Sequence, residues 1–143
     1  MESLQEKLRD VVLEHTIKVS IIGALNLSEE KYDELKLETD LASDLGMDSL
    51  DAAEIIMRIE EDHDLEEIPE DYARKANTVK HIYDYVLKHC EKPLDKLLNF
   101  SDKNYFFKKL ITRIAENAGL EVSDLEGVVG MDELKSKLGI SDQ

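Results

Sequence analysis

The chain has a single cysteine, Cys90, and no apolar run of eighteen residues or more in its 143. A lone cysteine closes no internal disulfide, so an intracellular, reducing compartment is the expected home. Without a long apolar run there is no membrane-spanning helix to expect, and Met1-Glu2-Ser3 opens neither the basic segment nor the apolar core of a secretory signal. These absences point to a soluble, cytoplasmic protein. Positive charge is also scarce, with 18 Lys and Arg against 33 Asp and Glu and a net charge of −15. The deficit belongs to residues 1–90, which hold 10 basic residues against 23 acidic ones; residues 91–143 hold 8 against 10. Such a surface repels nucleic acid and anionic membranes, and it attracts enzymes that present basic docking patches. Metal-binding patterns are missing too. His15, His63, His81 and His89 show no paired spacing of the His-Glu-x-x-His kind. The acidic series Asp40, Asp44, Asp48 fails as a calcium loop, because placing Gly46 at position six puts Leu41 at position one.

What is present centres on Asp44-Leu45-Gly46-Met47-Asp48-Ser49-Leu50-Asp51. A loop pivoting on Gly46 precedes a helical apolar period at 52, 55, 56 and 59, so Ser49 falls at a helix start with Asp48 as N-cap. Asp51 and Glu54 place negative charge near the positive end of the helix dipole, where free backbone N–H groups can also receive an anion. An isolated serine in this position is a cap and nothing more. A catalytic serine needs a general base within hydrogen-bond reach, and the nearest downstream histidine, His63, is about 21 Å away along a continuous helix at roughly 1.5 Å per residue. A Gly-x-Ser-x-Gly elbow is absent as well.

The surroundings of Ser49 are more specific than the tripeptide. Leu45-Gly46-Met47-Asp48-Ser49-Leu50-Asp51 is followed by an acidic, apolar stretch ending Glu60-Glu61-Asp62, then by Ile68-Pro69 and Thr78-Val79. In this order these signals resemble the acyl carrier protein family. The resemblance implies an all-α, four-helix bundle over residues 1–90 and a covalent 4′-phosphopantetheine arm on Ser49, flanked by Asp48 and Leu50. It also implies a recognition surface made by Asp51, Glu54, Ile56, Met57, Glu60 and Glu61, and as partners a phosphopantetheinyl transferase and the enzymes of acyl-chain synthesis. Catalytic residues and a metal are not implied, and a monomer is expected. The family pattern loosens after Asp62. A common Phe-Asp pair is replaced by His63-Asp64, the run Leu65-Glu66-Glu67 is one residue longer than usual, and Lys75-Ala76 stands where Lys-Ile is common. These departures surround a short helix that walls the acyl cavity in the family, so they imply a changed choice of acyl chain.

Periodicity fills in the rest. A first helix is predicted over residues 3–24, with His15 on its apolar stripe as a core-edge residue. In the long connection 25–47, Ser28 caps a single turn and Leu35, Leu37, Leu41 and Leu45 anchor the loop. Helices follow from Asp48 to Asp62, from Pro69 to Ala73 and from a Thr78 cap to the Pro93 region. Beyond residue 90 the resemblance ends. There Ser101 and Asp102 are positioned to cap a helix carrying Phe106, Phe107, Leu110, Ile111 and Ile114, which Gly119 stops, and a shorter helix spans Met131 to Leu138. The expected chain is a carrier domain at 1–90 with a helical extension at 91–143 of unassigned role, its longer helix packing on the carrier bundle as the first choice and docking a dedicated partner or a second copy of the chain as the second. Its expected function is to hold acyl intermediates as thioesters for fatty-acid or specialised lipid synthesis. Carriage of polyketide or aminoacyl cargo, and an unmodified acidic adaptor that uses Ser49 only as a cap, stand as alternatives.

Overall fold

The apolar stripe that opens the chain becomes one continuous helix, α1 (Leu4–Leu25), displaced by one residue at each end from the predicted span. The computed structural model describes residues 3–98, 100 and 105–140. Among these, every regular element is a helix, apart from an isolated antiparallel bridge between Asp40 and Thr78. The all-α class follows directly. None of these helices is long and apolar enough to cross a membrane.

The chain divides into two compact units. The larger, Leu13–Lys92, contains the second half of α1, then α2 (Lys31–Glu34), α3 (Leu41–Leu45), α4 (Ser49–Asp62), α5 (Glu70–Lys75) and α6 (Val79–His89). Its buried residues come from each long helix: Leu13, Ile17 and Ile21 of α1, Ile55 and Ile59 of α4, and Val79, Ile82 and Val86 of α6. The long connection is bound back onto the start of α6. Leu41 N–H donates to the Asn77 carbonyl (2.9 Å), Val79 N–H to Thr39 (3.2 Å) and Lys80 N–H to Leu37 (2.8 Å), while Tyr32, Leu35 and Leu41 are buried along it. A loop of this length is thereby held by hydrogen bonds as well as by its apolar anchors.

The smaller unit joins Met1–Val12 to Pro93–Gln143. It contains the first half of α1 together with α7 (Leu94–Leu97), α8 (Tyr105–Ala118), α9 (Val122–Leu125) and α10 (Met131–Leu138). The expected division at residue 90 keeps the opening turns of α1 with the carrier domain, whereas these units place them with the extension. The reason is the core: Leu8, Val11 and Val12 of α1 are buried with Phe107, Leu110 and Ile114 of α8 and with Leu125 and Leu134. The expected partner of α8 was the carrier bundle at large, and within this unit it meets the opening turns of α1. Ser101 and Asp102, the expected caps of α8, lie outside the described residues. Pro69 stands one position before α5 rather than inside it, accepting a hydrogen bond from Ala73 N–H (3.0 Å). The short helices α3 and α7 were not foreseen.

Candidate functional site

Two successive caps turn the chain to present Ser49. Asp40 Oδ1 accepts from the backbone N–H groups of Ala42 (3.1 Å) and Ser43 (2.9 Å), which starts α3, and Gly46 ends it in the left-handed region (φ 68°). That conformation favours glycine because a Cβ there crowds the backbone. Asp48 then caps α4. Its Oδ1 accepts from Asp51 N–H (2.9 Å), and Asp51 Oδ2 accepts from Asp48 N–H (3.2 Å), a reciprocal capping box. The acidic series is thus explained without a cation. Asp40 and Asp48 each accept backbone N–H groups, and Asp44 Oδ2 accepts from Asp40 N–H (2.8 Å).

Ser49 is the first residue of α4 and is exposed. Among the described residues none hydrogen-bonds its hydroxyl, so the geometry offers an accessible oxygen with no base or orienting group attached. The positive end of the α4 dipole lies beside it, an environment suited to a phosphate ester.

From Ser49 the surface runs two ways. Leu50 and Met57 are 69% and 59% exposed, two turns apart on α4, with exposed Glu54 between them and Glu61 one turn beyond. Large apolar side chains left in water at this spacing form a mixed apolar and acidic face. Asp51 is only half-buried, its carboxylate used in the capping box. Ile56 and Glu60 fall elsewhere, lining a groove of about 700 Å³ that also takes in Ser49 and Met57. The small residues Ala52 and Ala53 of α4 open one wall of this groove, and Ile68, Ala73 and Ala76 form the other. Glu60 Oε2 accepts from Ile68 N–H (2.6 Å), which pins the α4–α5 connection along the groove. The rim near α5 is polar, with Arg74 and Glu70 paired at 2.6 Å. Ala76 was marked by its departure from the family pattern, whereas Ala52, Ala53 and Ala73 are groove residues that sequence reasoning missed. Their only signal is small size on a helix face that is otherwise built of isoleucine and methionine.

His63, one of the departures from the family pattern, does not line the groove. It is fully buried at the end of α4, with Nδ1 2.8 Å from the Ile59 carbonyl and Nε2 2.8 Å from Thr16 Oγ1 of α1. Burial holds its pKa below the ordinary 6.5, partly offset by the Ile59 carbonyl and by Asp62. Ala76, the other departure, does face the groove, and its small side chain leaves room there. His15 is buried as expected of a core-edge residue, its Nδ1 2.8 Å from Tyr32 Oη.

A family model described as a phosphopantetheine attachment site matches residues 16–86, about half of the chain and wholly inside the larger unit. Domains of this kind carry rather than catalyse, and they meet a phosphopantetheinyl transferase and the enzymes of the pathway they serve. The groove, the exposed hydroxyl and the helix N-terminus are compatible with such an arm, whose thiol supplies the acyl-bearing chemistry when it is bound. Residues 16–86 are a phosphopantetheine-attachment domain, and through it the chain belongs to the family of carriers on which 4′-phosphopantetheine is held covalently.

Proposed function

We propose that Ser49 is the residue that bears the 4′-phosphopantetheine, and that the chain holds acyl intermediates as thioesters for a discrete fatty-acid or specialised lipid pathway. The observation that carries this reading is the position of Ser49. Its hydroxyl is exposed and unbonded among the described residues, it sits at the start of α4 after Asp48, and it opens onto the groove of about 700 Å³. Asp48 and Leu50 flank the attachment point, Asp48 by fixing the helix start. The groove's apolar lining of Ala52, Ala53, Ile56 and Ile68 suits a hydrocarbon chain better than an aminoacyl group.

Leu50, Asp51, Glu54, Met57 and Glu61 form the surface that partner enzymes with basic docking patches read. Met57 contributes an adaptable apolar contact, and the carboxylates steer association. Ile56 and Glu60, placed by sequence in the same surface, act from the groove side: Ile56 against cargo, Glu60 by holding Ile68 in place. The chain itself is not an enzyme in this reading, and it works as a cytoplasmic monomer.

The test is intact-mass analysis after incubation with coenzyme A and a broad-specificity phosphopantetheinyl transferase. Wild type is expected to gain one phosphopantetheinyl group and Ser49→Ala none. A folded wild type that gains nothing overturns the carrier reading and leaves the unmodified adaptor in its place.

A further inference from the structure

We infer that residues 105–140 repeat, with their helix ends and most of their buried positions at a constant offset of 93, the half of the carrier domain made by the second part of α1, α2 and α3. The smaller unit is then a carrier-type scaffold with no attachment serine in register.

The correspondence starts with helix ends. α1 ends at Leu25 and α8 at Ala118; α3 ends at Leu45 and α10 at Leu138. Each end is followed by a left-handed residue, Asn26 (φ 54°) and Gly119 (φ 72°) in the first pair, Gly46 (φ 68°) and Gly139 (φ 74°) in the second. The closing hydrogen bonds correspond as well. Leu27 N–H donates to Ile22 at 3.0 Å and Leu120 N–H to Ala115 at 2.9 Å, while Asn26 N–H and Gly119 N–H reach Gly23 and Glu116 at 3.4 and 3.3 Å. Gly46 N–H donates to Ala42, and Gly139 N–H to Lys135.

Burial follows the same register. Ile17 and Leu110, Ile21 and Ile114, and Leu41 and Leu134 are buried pairs within 3% of full burial; in the connections, Tyr32 pairs with Leu125 and Leu35 with Val128, again buried. The match is not complete: Met131 is buried where its counterpart Glu38 is exposed, and Gly127 adds a left-handed residue (φ 80°) opposite Glu34 of α2, so the register is carried by the two helix ends and the five buried pairs. The intervening turns are less strict. α2 covers Lys31–Glu34 and α9 Val122–Leu125, two residues early in register, and α10 starts three residues before the counterpart of α3.

The two copies differ in what completes them. In the larger unit the remaining long helices with buried apolar residues are α4 and α6. In the smaller unit the core is closed by Leu8, Val11 and Val12 of α1 and by Leu98, with Leu94 and Leu97 half-buried against it. The copies also differ where chemistry is carried. In sequence, the residues at offset 93 from Asp48 and Ser49 are Ser141 and Asp142, the reverse order, so the offset pairs the carrier's serine with an aspartate. The unit therefore serves as a folded support for the first half of α1 and adds no second arm.

Native-state amide exchange on the full chain tests the repeat directly. Strong protection is expected at Leu110, Ile114 and Leu134 as at Ile17, Ile21 and Leu41, with rapid exchange at Glu121 and Ser123 as at Ser28 and Glu30; a smaller unit whose protected positions do not follow the offset overturns it. A second variant replaces residues 119–140, with Gly127 and Met131 retained, one for one with a copy of 26–47, compared with a copy of 27–48 slipped by one residue and retaining the same two residues. The in-register chimera is expected to keep exchange protection at Val11 and Val12, and the slipped one to lose it; identical behaviour of the two overturns the repeat. The unmodified role is read by mass, independently of whether wild type is a carrier. Ser49→Ala gaining a phosphopantetheinyl group mapped to Ser141 overturns it, and no gain at that residue is the expected result.

Discussion

His63 stands where carrier proteins commonly have phenylalanine, so two ring nitrogens occupy a space from which water is excluded. Both are used. Nδ1 faces a carbonyl at 2.8 Å and must donate, which leaves Nε2 as the acceptor of the Thr16 hydroxyl in the neutral ring. Burial is the largest influence on the ring and disfavours its charge; the Ile59 carbonyl, Asp62 and Asp64 oppose this, and Lys92 adds to it. The folded pKa therefore lies below the unfolded value of about 6.5. On lowering the pH the unfolded chain takes up the proton first, so the stabilisation is complete above pH 6.5 and declines as pH falls from there through the folded value. Urea unfolding at pH 7.5 and 5.5 should show a falling midpoint for wild type and a smaller fall for His63→Phe. At pH 7.5 the variant should differ by less than about 1.5 kcal/mol, since the single Thr16 hydroxyl hydrogen, released from Nε2, can turn to the Leu13 carbonyl 3.0 Å away and the ring is of similar volume. An equal fall in the two proteins would show that carboxylates alone govern the acid limb. The sequence marks residue 63 as a departure but not its consequence, because a one-dimensional pattern does not reveal which side of a helix end is turned toward α1.

At the scale of elements, α4 carries both the candidate serine and the exposed apolar and acidic face, and its start depends on Asp48. This carboxylate has two separable roles, a cap for Asp51 N–H at 2.9 Å and a negative charge next to Ser49. Asn caps about as well as Asp, whereas Ala does not. Asp48→Asn should therefore keep the melting temperature of wild type while slowing transfer of phosphopantetheine, and Asp48→Ala should lose about 1 kcal/mol, within a range of 0.5–2, as well as the transfer rate. Thermal unfolding alongside transfer kinetics checks this; an unchanged rate in Asp48→Asn would reduce the residue to its cap. The same helix shows what a sequence can disclose. α4, α6, α8 and α10 were legible because each holds an amphipathic period, and a cap or a stopping glycine marks one or both ends. α3 and α7 were not, being five and four residues long, too short for a period to register. Asp40 and Gly46 did signal the cap and stop of α3, yet the spacing of Asp40, Asp44 and Asp48 drew attention to a metal loop instead. Of the site, Ser49, Leu50 and Met57 were legible from the motif and its spacing. Ala52, Ala53 and Ala73 along the groove were not, since small residues have no pattern of their own, and Ala76 stood out only by comparison with the family pair.

For the whole molecule the main consequence is that α1 serves two cores. Its stripe reads continuously in sequence, and nothing in the spacing of Leu8, Val11, Ile17 and Ile21 announces that the first two are buried with Phe107 and Leu110 while the others belong to the larger unit. Helical periodicity identifies a buried face but not the partner that buries it, which is why the expected boundary at residue 90 left the opening turns of α1 with the carrier domain. The repeat at offset 93 escaped for a related reason: it preserves burial and left-handed turns while preserving few identities, among them Leu41 with Leu134 and Gly46 with Gly139. Leu134 separates the units experimentally. It is fully buried in the smaller core, and Leu134→Ala should cost about 2–5 kcal/mol there through lost burial and the cavity left behind. Helix α1 is then expected to lose exchange protection at Leu8, Val11 and Val12 while keeping it at Ile17 and Ile21, because an isolated helix of nine residues is marginal without tertiary contacts. Phosphopantetheine transfer to Ser49 should continue at the wild-type rate, since the capping box and groove lie in the larger unit. Loss of protection along the whole of α1 together with loss of transfer would mean instead that the chain unfolds as one cooperative body, with the carrier domain dependent on the repeat for its own stability.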